Sequence, residues 1–203
     1  MAKKATGPPR RKKNTDYRGR EHLDEMEVDE LRKAAAKLGR HGERDSTMIL
    51  IAFHHALRCS ELVRLRWDRV YLEKEDIWIV RCKGSKSGMH PLYPDDLKAL
   101  RKLGPDKKGW VFKSESKLEP GAVSESGFQK IVARAGELAG FDFPVHPHML
   151  RHACGYWMHK EGHDIRTIQE WMGHVSIQNT QLYTALDTDH FRRVGIGKKK
   201  GAS

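Results

Sequence analysis

The stretch His146–Leu186 reads HPHMLRHACGYWMHKEGHDIRTIQEWMGHVSIQNTQLYTAL, and it decides the fold class. Its own punctuation divides it into three helices. Pro147 suits a first helical turn, where an N–H has no intrahelical use, so a helix is expected from about His148 to Lys160, ended by Gly162. Asp164 is a cap and Gly173 follows Met172, which brackets a second helix. Ser176 caps a third that carries Thr180, Leu182 and Tyr183. Ile165, Ile168, Trp171 and Met172 recur at helical period and read as core. On this frame sit reactive side chains. His148 and Arg151 are one turn apart and share a face, His174 follows the glycine that ends the second helix, and Tyr183 comes nine residues later. Taken singly, each has a plain structural reading as a surface, hydrogen-bonded or amphipathic core residue.

Upstream, a helix is expected over about Glu25–Leu38 with Asp24 as its cap. Asp45-Ser46 is a candidate cap for a helix to about His55, and Ser60–Trp67 presents an apolar face through Leu62, Val63 and Leu65. The pattern then changes to β-branched and aromatic residues. Val70–Leu72 and Ile77–Val80 read as strands, and His90–Tyr93 returns as the partner strand of a hairpin. Its tip, Lys83-Gly-Ser-Lys-Ser-Gly-Met89, bears two lysines. Pro94-Asp-Asp96 starts a helix through about Leu103, Lys113–Gly121 reads as loop, and Ser124–Ala139 is helical and closed by Gly140. The total is α+β, mainly α, with one small antiparallel sheet.

The chain has 203 residues and a net charge of +11, and the excess sits at its two ends. Residues 1–20 hold eight Lys or Arg against one Asp, and residues 191–203 hold five against no acid. The remainder is close to balance, with 25 basic and 26 acidic side chains. The organisation read from this is a basic flexible arm (1–20), a folded domain (21–190) and a basic tail (191–203). Such ends favour a polyanion, most simply nucleic acid, through counterion release; a solubilising tail is the bland reading. The longest apolar run, Met48–Phe53, is far short of the roughly 20 residues of a spanning helix. Three widely spaced cysteines, Cys59, Cys82 and Cys154, read as reduced thiols in a cytoplasmic protein.

Several chemistries lack their parts. Lys83–Ser87 has no glycine at the phosphate-loop spacing, and no G-x-S-x-G occurs. His148 and His152 lie four apart with Cys154 and His146 nearby, a chelating spacing, but the glutamate of H-E-x-x-H is missing and Arg151 stands between the ligands. Asp95-Asp96 reads as a helix-start pair rather than a metal cluster. The corner from Asp164 through Gly173 to Ser176 has the proportions of a helix-turn-helix, which would make the chain a DNA-binding regulator without chemistry.

Combining the middle of the chain with its C-terminal third changes the reading. ALRCSEL (Ala56–Leu62), HMLRHACG (His148–Gly155) and IQEWMGHVSIQNTQLYT (Ile168–Thr184) resemble, in order and spacing, the three boxes of the tyrosine recombinase (phage integrase) family. His55-Ala56 stands where that family has Thr-Gly, and Cys82 replaces the first glycine of its Gly-Lys-Gly. The resemblance covers about residues 20–190. It is similar in particular to the short recombinases that invert fimbrial promoters, which lack a separate N-terminal DNA-binding domain.

The resemblance implies the tyrosine recombinase catalytic-domain fold and site-specific cutting and rejoining of DNA through a 3′-phosphotyrosine, with no metal, nucleotide or other cofactor. Tyr183 would be the nucleophile, and Arg58 and Arg151 would clamp the phosphate oxygens. His148 would take or orient the tyrosine proton, His174 would hydrogen-bond the phosphate, and Lys83 would protonate the leaving 5′-oxygen. Lys86 is its rival at the hairpin, or a phosphate contact. Glu61, one turn from Arg58, would orient that guanidinium, and His152 would be structural or supporting. Arg10, Arg11, Lys12 and Lys13 of the arm would hold DNA. Implied partners are double-stranded DNA, three further copies of the chain on two sites, and an accessory DNA-bending protein, in a bacterial, phage or plasmid setting at the nucleoid. A catalytically idle regulator on the same fold is the alternative.

Overall fold

The computed structural model describes residues 20–82, 84–104, 108–114 and 121–183. Residues 1–19 of the arm, the tail and Lys83 lie outside the described residues, while Arg20, the last residue of the arm, is held by Glu27 at 2.6 Å.

The first helix, α1 (Glu25–Ala35), starts where Asp24 caps it: Asp24 Oδ1 accepts the Glu27 N–H at 2.9 Å and Glu27 Oε2 accepts the Asp24 N–H at 2.8 Å. A 3₁₀ turn (Gly39–His41) leads into α2 (Gly42–His54), three residues before Asp45, where the sequence places its cap. Asp45 cannot serve as that cap, because its carboxylate holds Arg44 at 2.7 Å in a buried position. The helix expected over Ser60–Trp67 shortens to α3 (Cys59–Val63). The chain beyond it is diverted into pairing: Val111 N–H donates to Leu65 O at 2.9 Å and Trp67 N–H to Gly109 O at 3.0 Å.

A three-stranded antiparallel sheet follows in the order β1 (Val70–Tyr71), β2 (Asp76–Ile79), β3 (Gly88–Pro91). Ile77 faces His90 and Trp78 faces Met89. The third strand ends two residues earlier than the sequence suggests, because Tyr93 caps α4 (Pro94–Lys102), its N–H donating to Asp96 Oδ2 at 3.0 Å. Residues at both ends of the expected 113–121 loop instead form a two-stranded ribbon, β4 (Lys113–Ser114) with β5 (Gly121–Ala122). The ladder needs only two residues a side, too few for a period-2 signal.

The remaining helices are α5 (Glu125–Ala139, capped by Ser124), α6 (Pro147–Lys160), α7 (Ile165–Met172, capped by Asp164) and α8 (Gln178–Gln181). These follow the sequence closely until the last, which is a single turn, so Tyr183 falls just beyond it. One apolar core runs through the domain. Helix α2 is its centre, buried from Thr47 to Phe53 and packed on α1, α4 and α6. Helix α6 contributes Met149, Leu150, Ala153 and Cys154, and α7 contributes Ile168 and Met172. Burying α6 on one face against α2 leaves its other face, with His148 and His152, turned to the C-terminal elements. No helix among the described residues is long and apolar enough to cross a membrane.

Candidate active site

Four elements converge on a cleft of about 460 Å³ lined by Arg58, His148, Arg151, His152, His174 and Tyr183, among others. It continues into a groove of about 560 Å³ that shares Arg58 and His148 and runs along Ser60, Gln129 and His146. Five of the six residues assigned to the chemistry are therefore brought together, from positions up to 125 apart in the chain. The sixth, Lys83, is outside the described residues; its rival Lys86 is exposed on the hairpin.

Arg58 stands at the start of α3, where Glu61 reaches back one turn. Glu61 Oε2 accepts the Arg58 backbone N–H at 3.0 Å, and Oε1 accepts its guanidinium at 2.8 Å. The orienting role expected of Glu61 thus has its geometry. Arg58 also donates to Ser85 Oγ at 3.1 Å, which ties it to the hairpin tip. Burial would raise the Glu61 carboxyl, but the Arg81 charge and the N–H groups of Arg58 and Cys82 outweigh it and hold it down at about 2.

Arg151 projects from the buried face of α6 and is only 5% exposed. It donates to Met172 O at 2.8 Å and to Ala56 O. Burial, then the charges of Arg81 and Arg58, lower it to about 10, so it remains a cation at neutral pH. Ala56 sits in the left-handed region at φ 50, the position where the family sequence has glycine. A Cβ there costs about 1 kcal/mol. The conformation turns the Ala56 carbonyl toward the site, where Arg151 and Arg81 both donate to it.

His174 follows Gly173, whose φ of +66 ends α7. A Cβ on Gly173 would lie 2.9 Å from Lys86 O and 3.1 Å from Arg81, so the glycine also permits α7 to close on the hairpin. His174 Nδ1 is 3.0 Å from Thr180 Oγ1, which fixes the ring. Burial, then Arg151 and Arg58, push it down to about 4, so it is neutral at pH 7.

Tyr183 is folded inward, 2% exposed, with its ring against α6. Gly155 makes the berth: a Cβ there would come within 2.6 Å of Tyr183 Cζ. Burial raises the phenol above its ordinary value of 10. Its hydroxyl lies 3.2 Å from His152 Nδ1. The sequence reading gives the tyrosine proton to His148 and a supporting place to His152, whereas here His152 holds the hydroxyl and His148 lies exposed in the cleft one turn earlier. Burial, then the neighbouring His148, lower His152 to about 4.

Arg81 escaped the sequence reading. It follows β2, and its side chain is 1% exposed. The signal was present in the alternation: Ile77 and Ile79 face in, Trp78 and Val80 face out, so the next inward position is an arginine.

The phage integrase family profile matches residues 21–190. The chain belongs to the phage integrase family. Among its relatives are the type 1 fimbriae regulatory proteins FimB and FimE of Escherichia coli K12. FimB is 36% identical over 187 residues, covering 89% of this chain and 92% of FimB. FimE is 35% identical over 179 residues, covering 85% and 89%. Tyrosine recombinase XerA of Thermococcus kodakarensis is 30% identical over 154 residues, 74% of this chain but 54% of XerA. The fold agrees: a crystal structure of XerA recombinase superposes with a TM-score of 0.71 at 27% identity, over 85% of this chain and 63% of that one. As an integrase-family member with these relatives, the chain is a tyrosine-type site-specific DNA recombinase, and an idle regulator is not favoured.

Proposed function

We propose that the chain cuts one strand of double-stranded DNA with Tyr183, keeps the bond energy in a 3′-phosphotyrosine, and rejoins it to a second strand. The observation that carries this is the convergence of Arg58, Arg151, His174 and Tyr183 on one cleft. A free phenol is ionised only about once in a thousand at pH 7 and a phosphodiester repels nucleophiles, so attack needs a proton acceptor and charge neutralisation. In the attack, the Tyr183 oxygen forms a bond to phosphorus while the phosphorus bond to the 5′-oxygen breaks. His152, in hydrogen-bond range, receives or relays the phenol proton, with His148 beside it. Arg58 and Arg151 neutralise the non-bridging oxygens, and neutral His174 donates a hydrogen bond to one of them. Lys83 protonates the departing 5′-oxygen. Reversal with another 5′-hydroxyl reseals the strand without ATP.

Exchange of partners requires four protomers on two sites, with an accessory DNA-bending protein where the sites must be brought together. The groove beside Ser60 and Gln129 and the basic arm, with Arg10, Arg11, Lys12 and Lys13, track the DNA backbone. Inversion, integration and excision are all open to this chemistry, because they differ in the arrangement of the two sites and not in the strand-exchange step.

Covalent trapping tests this. Nicked duplexes tiled across the DNA flanking the protein's own gene are incubated with the full chain. The expected result is a denaturant-resistant protein–DNA band that disappears in Tyr183→Phe, while DNA binding persists. A band that survives in Tyr183→Phe overturns the assignment of the nucleophile.

A further inference from the structure

We infer that Arg81 is a positioning residue that sets the two clamp arginines, Arg58 and Arg151, relative to one another; this rests on the reading of those two as the phosphate clamp. Arg81 has no freedom to bind phosphate itself. Its four terminal N–H groups meet four acceptors: Ala56 O at 3.1 Å and Glu61 Oε2 at 3.0 Å from one nitrogen, His55 O at 3.0 Å and Trp171 O from the other. Three of the four acceptors lead to a residue of the site. Glu61 holds Arg58 through its other oxygen. The Ala56 carbonyl is shared with Arg151. Trp171 lies one residue before Met172, whose carbonyl is the other acceptor of Arg151, and three before His174. The backbone of Arg81 is fixed as well, its N–H donating to Ser87 Oγ at 3.0 Å.

A planar fork with donors on two nitrogens can bridge acceptors from three elements at once; an ammonium is a single point and cannot. Arg81→Lys therefore keeps the counter-charge of Glu61 but loses the brace. Because a displacement of about 1 Å at a reacting centre costs about 100-fold, strand cleavage should slow about 10- to 100-fold in this variant.

A merely structural defect would slow cleavage of any linkage, whereas a misplaced clamp matters only where there is charge to clamp. The test compares single-turnover cleavage of a duplex that traps the full chain with the same duplex carrying a methylphosphonate at the scissile position, in which a neutral methyl replaces one charged oxygen. Arg81→Lys should be slow on the phosphodiester and match the unsubstituted protein to within about threefold on the methylphosphonate, where the clamp's electrostatic contribution is largely removed. Arg58→Ala should behave in the same way and serves as the reference. Equal slowing of Arg81→Lys on both linkages, or no slowing on either, overturns the inference. If Arg58→Ala is not selectively restored, the clamp reading itself fails, whatever Arg81→Lys does. Should Arg81→Lys fail to fold, Arg81→Gln keeps Glu61 in place and a planar amide beside it, but has too few donors to meet all four acceptors. That variant must show the same selectivity for the charged linkage, and equal slowing on both linkages counts against the inference.

Discussion

The Tyr183 hydroxyl lies 3.2 Å from Nδ1 of His152, on the turn of α6 that also carries Arg151. His148, one turn earlier, is the residue the family motif points to. Replacing a positioned proton acceptor costs about 100- to 10,000-fold. His152→Ala should therefore slow formation of the covalent complex by about 100-fold or more, and His148→Ala by less. Single-turnover trapping of the two variants side by side decides it; the reverse order would return the proton to His148.

Gly155 is the floor of the tyrosine's berth. Gly155→Ala puts a methyl 2.6 Å from Cζ and 2.7 Å from Cε1 of the ring, so the ring must leave. Overpacking of this kind costs about 1–3 kcal/mol. The expected outcome is a lower melting temperature together with faster modification of Tyr183 by an acylating reagent. Unchanged modification would mean that α6 yields instead of the tyrosine.

Glu61 makes acid stability readable. Its carboxyl is held at about 2 against an ordinary 4.5, because Arg81 and its other partners outweigh burial. A depressed carboxyl contributes stability that is present above its unfolded value and lost as pH falls through the folded one. The window is therefore pH 4.5 down to about 2, and the contribution is about 3 kcal/mol. His152 and His174, kept neutral down to about 4, act in a separate and higher window: the unfolded chain takes up their protons first, so stability falls from about pH 6.5 to 4. In Glu61→Gln the lower limb of the acid unfolding curve should flatten while the upper limb remains. Denaturant titrations at pH steps across both windows read this directly.

All of the arm but Arg20 lies outside the described residues, and its charge makes its own prediction. Deleting residues 1–20 removes eight basic side chains against one acid. Each phosphate neutralised contributes about 0.9 to the slope of log affinity against log salt. The truncated chain should bind duplex DNA more weakly and with a shallower slope; an unchanged slope would show that the arm does not touch the duplex.

Much of the fold was legible because the C-terminal helices announce their ends. Asp164, Gly173 and Ser124 are local signals, and local signals survive without tertiary context. Where tertiary contacts redirected a residue, the reading slipped. Asp45 has the chemistry of a cap and serves an ion pair; residues 65–67 have an apolar face and serve a bridge to 109–111. The site divides in the same way. Arg58, Arg151, His174 and Tyr183 are marked by motif and spacing. The brace at Arg81 is not, because its meaning comes from carbonyls on two other segments of chain. Asp96 is the intermediate case, read as a helix-start residue, which it is, while its Oδ1 also lies in a hydrogen bond of 2.7 Å with His54 Nδ1 and its Oδ2 lies 3.4 Å from His55 Nε2.

Three guanidiniums, those of Arg58, Arg81 and Arg151, face one carboxylate, Glu61, in a largely dry centre. Their mutual repulsion opposes folding, and it is relieved by any anion that settles among them. On the proposed reading the scissile phosphate, held by Arg58 and Arg151, is a structural counter-ion as well as a substrate, and the protein should unfold at a higher temperature on its target than off it. On that reading, selection for a tougher free protein would drain charge from this centre and dull the enzyme, so stability without DNA and readiness for DNA pull against one another.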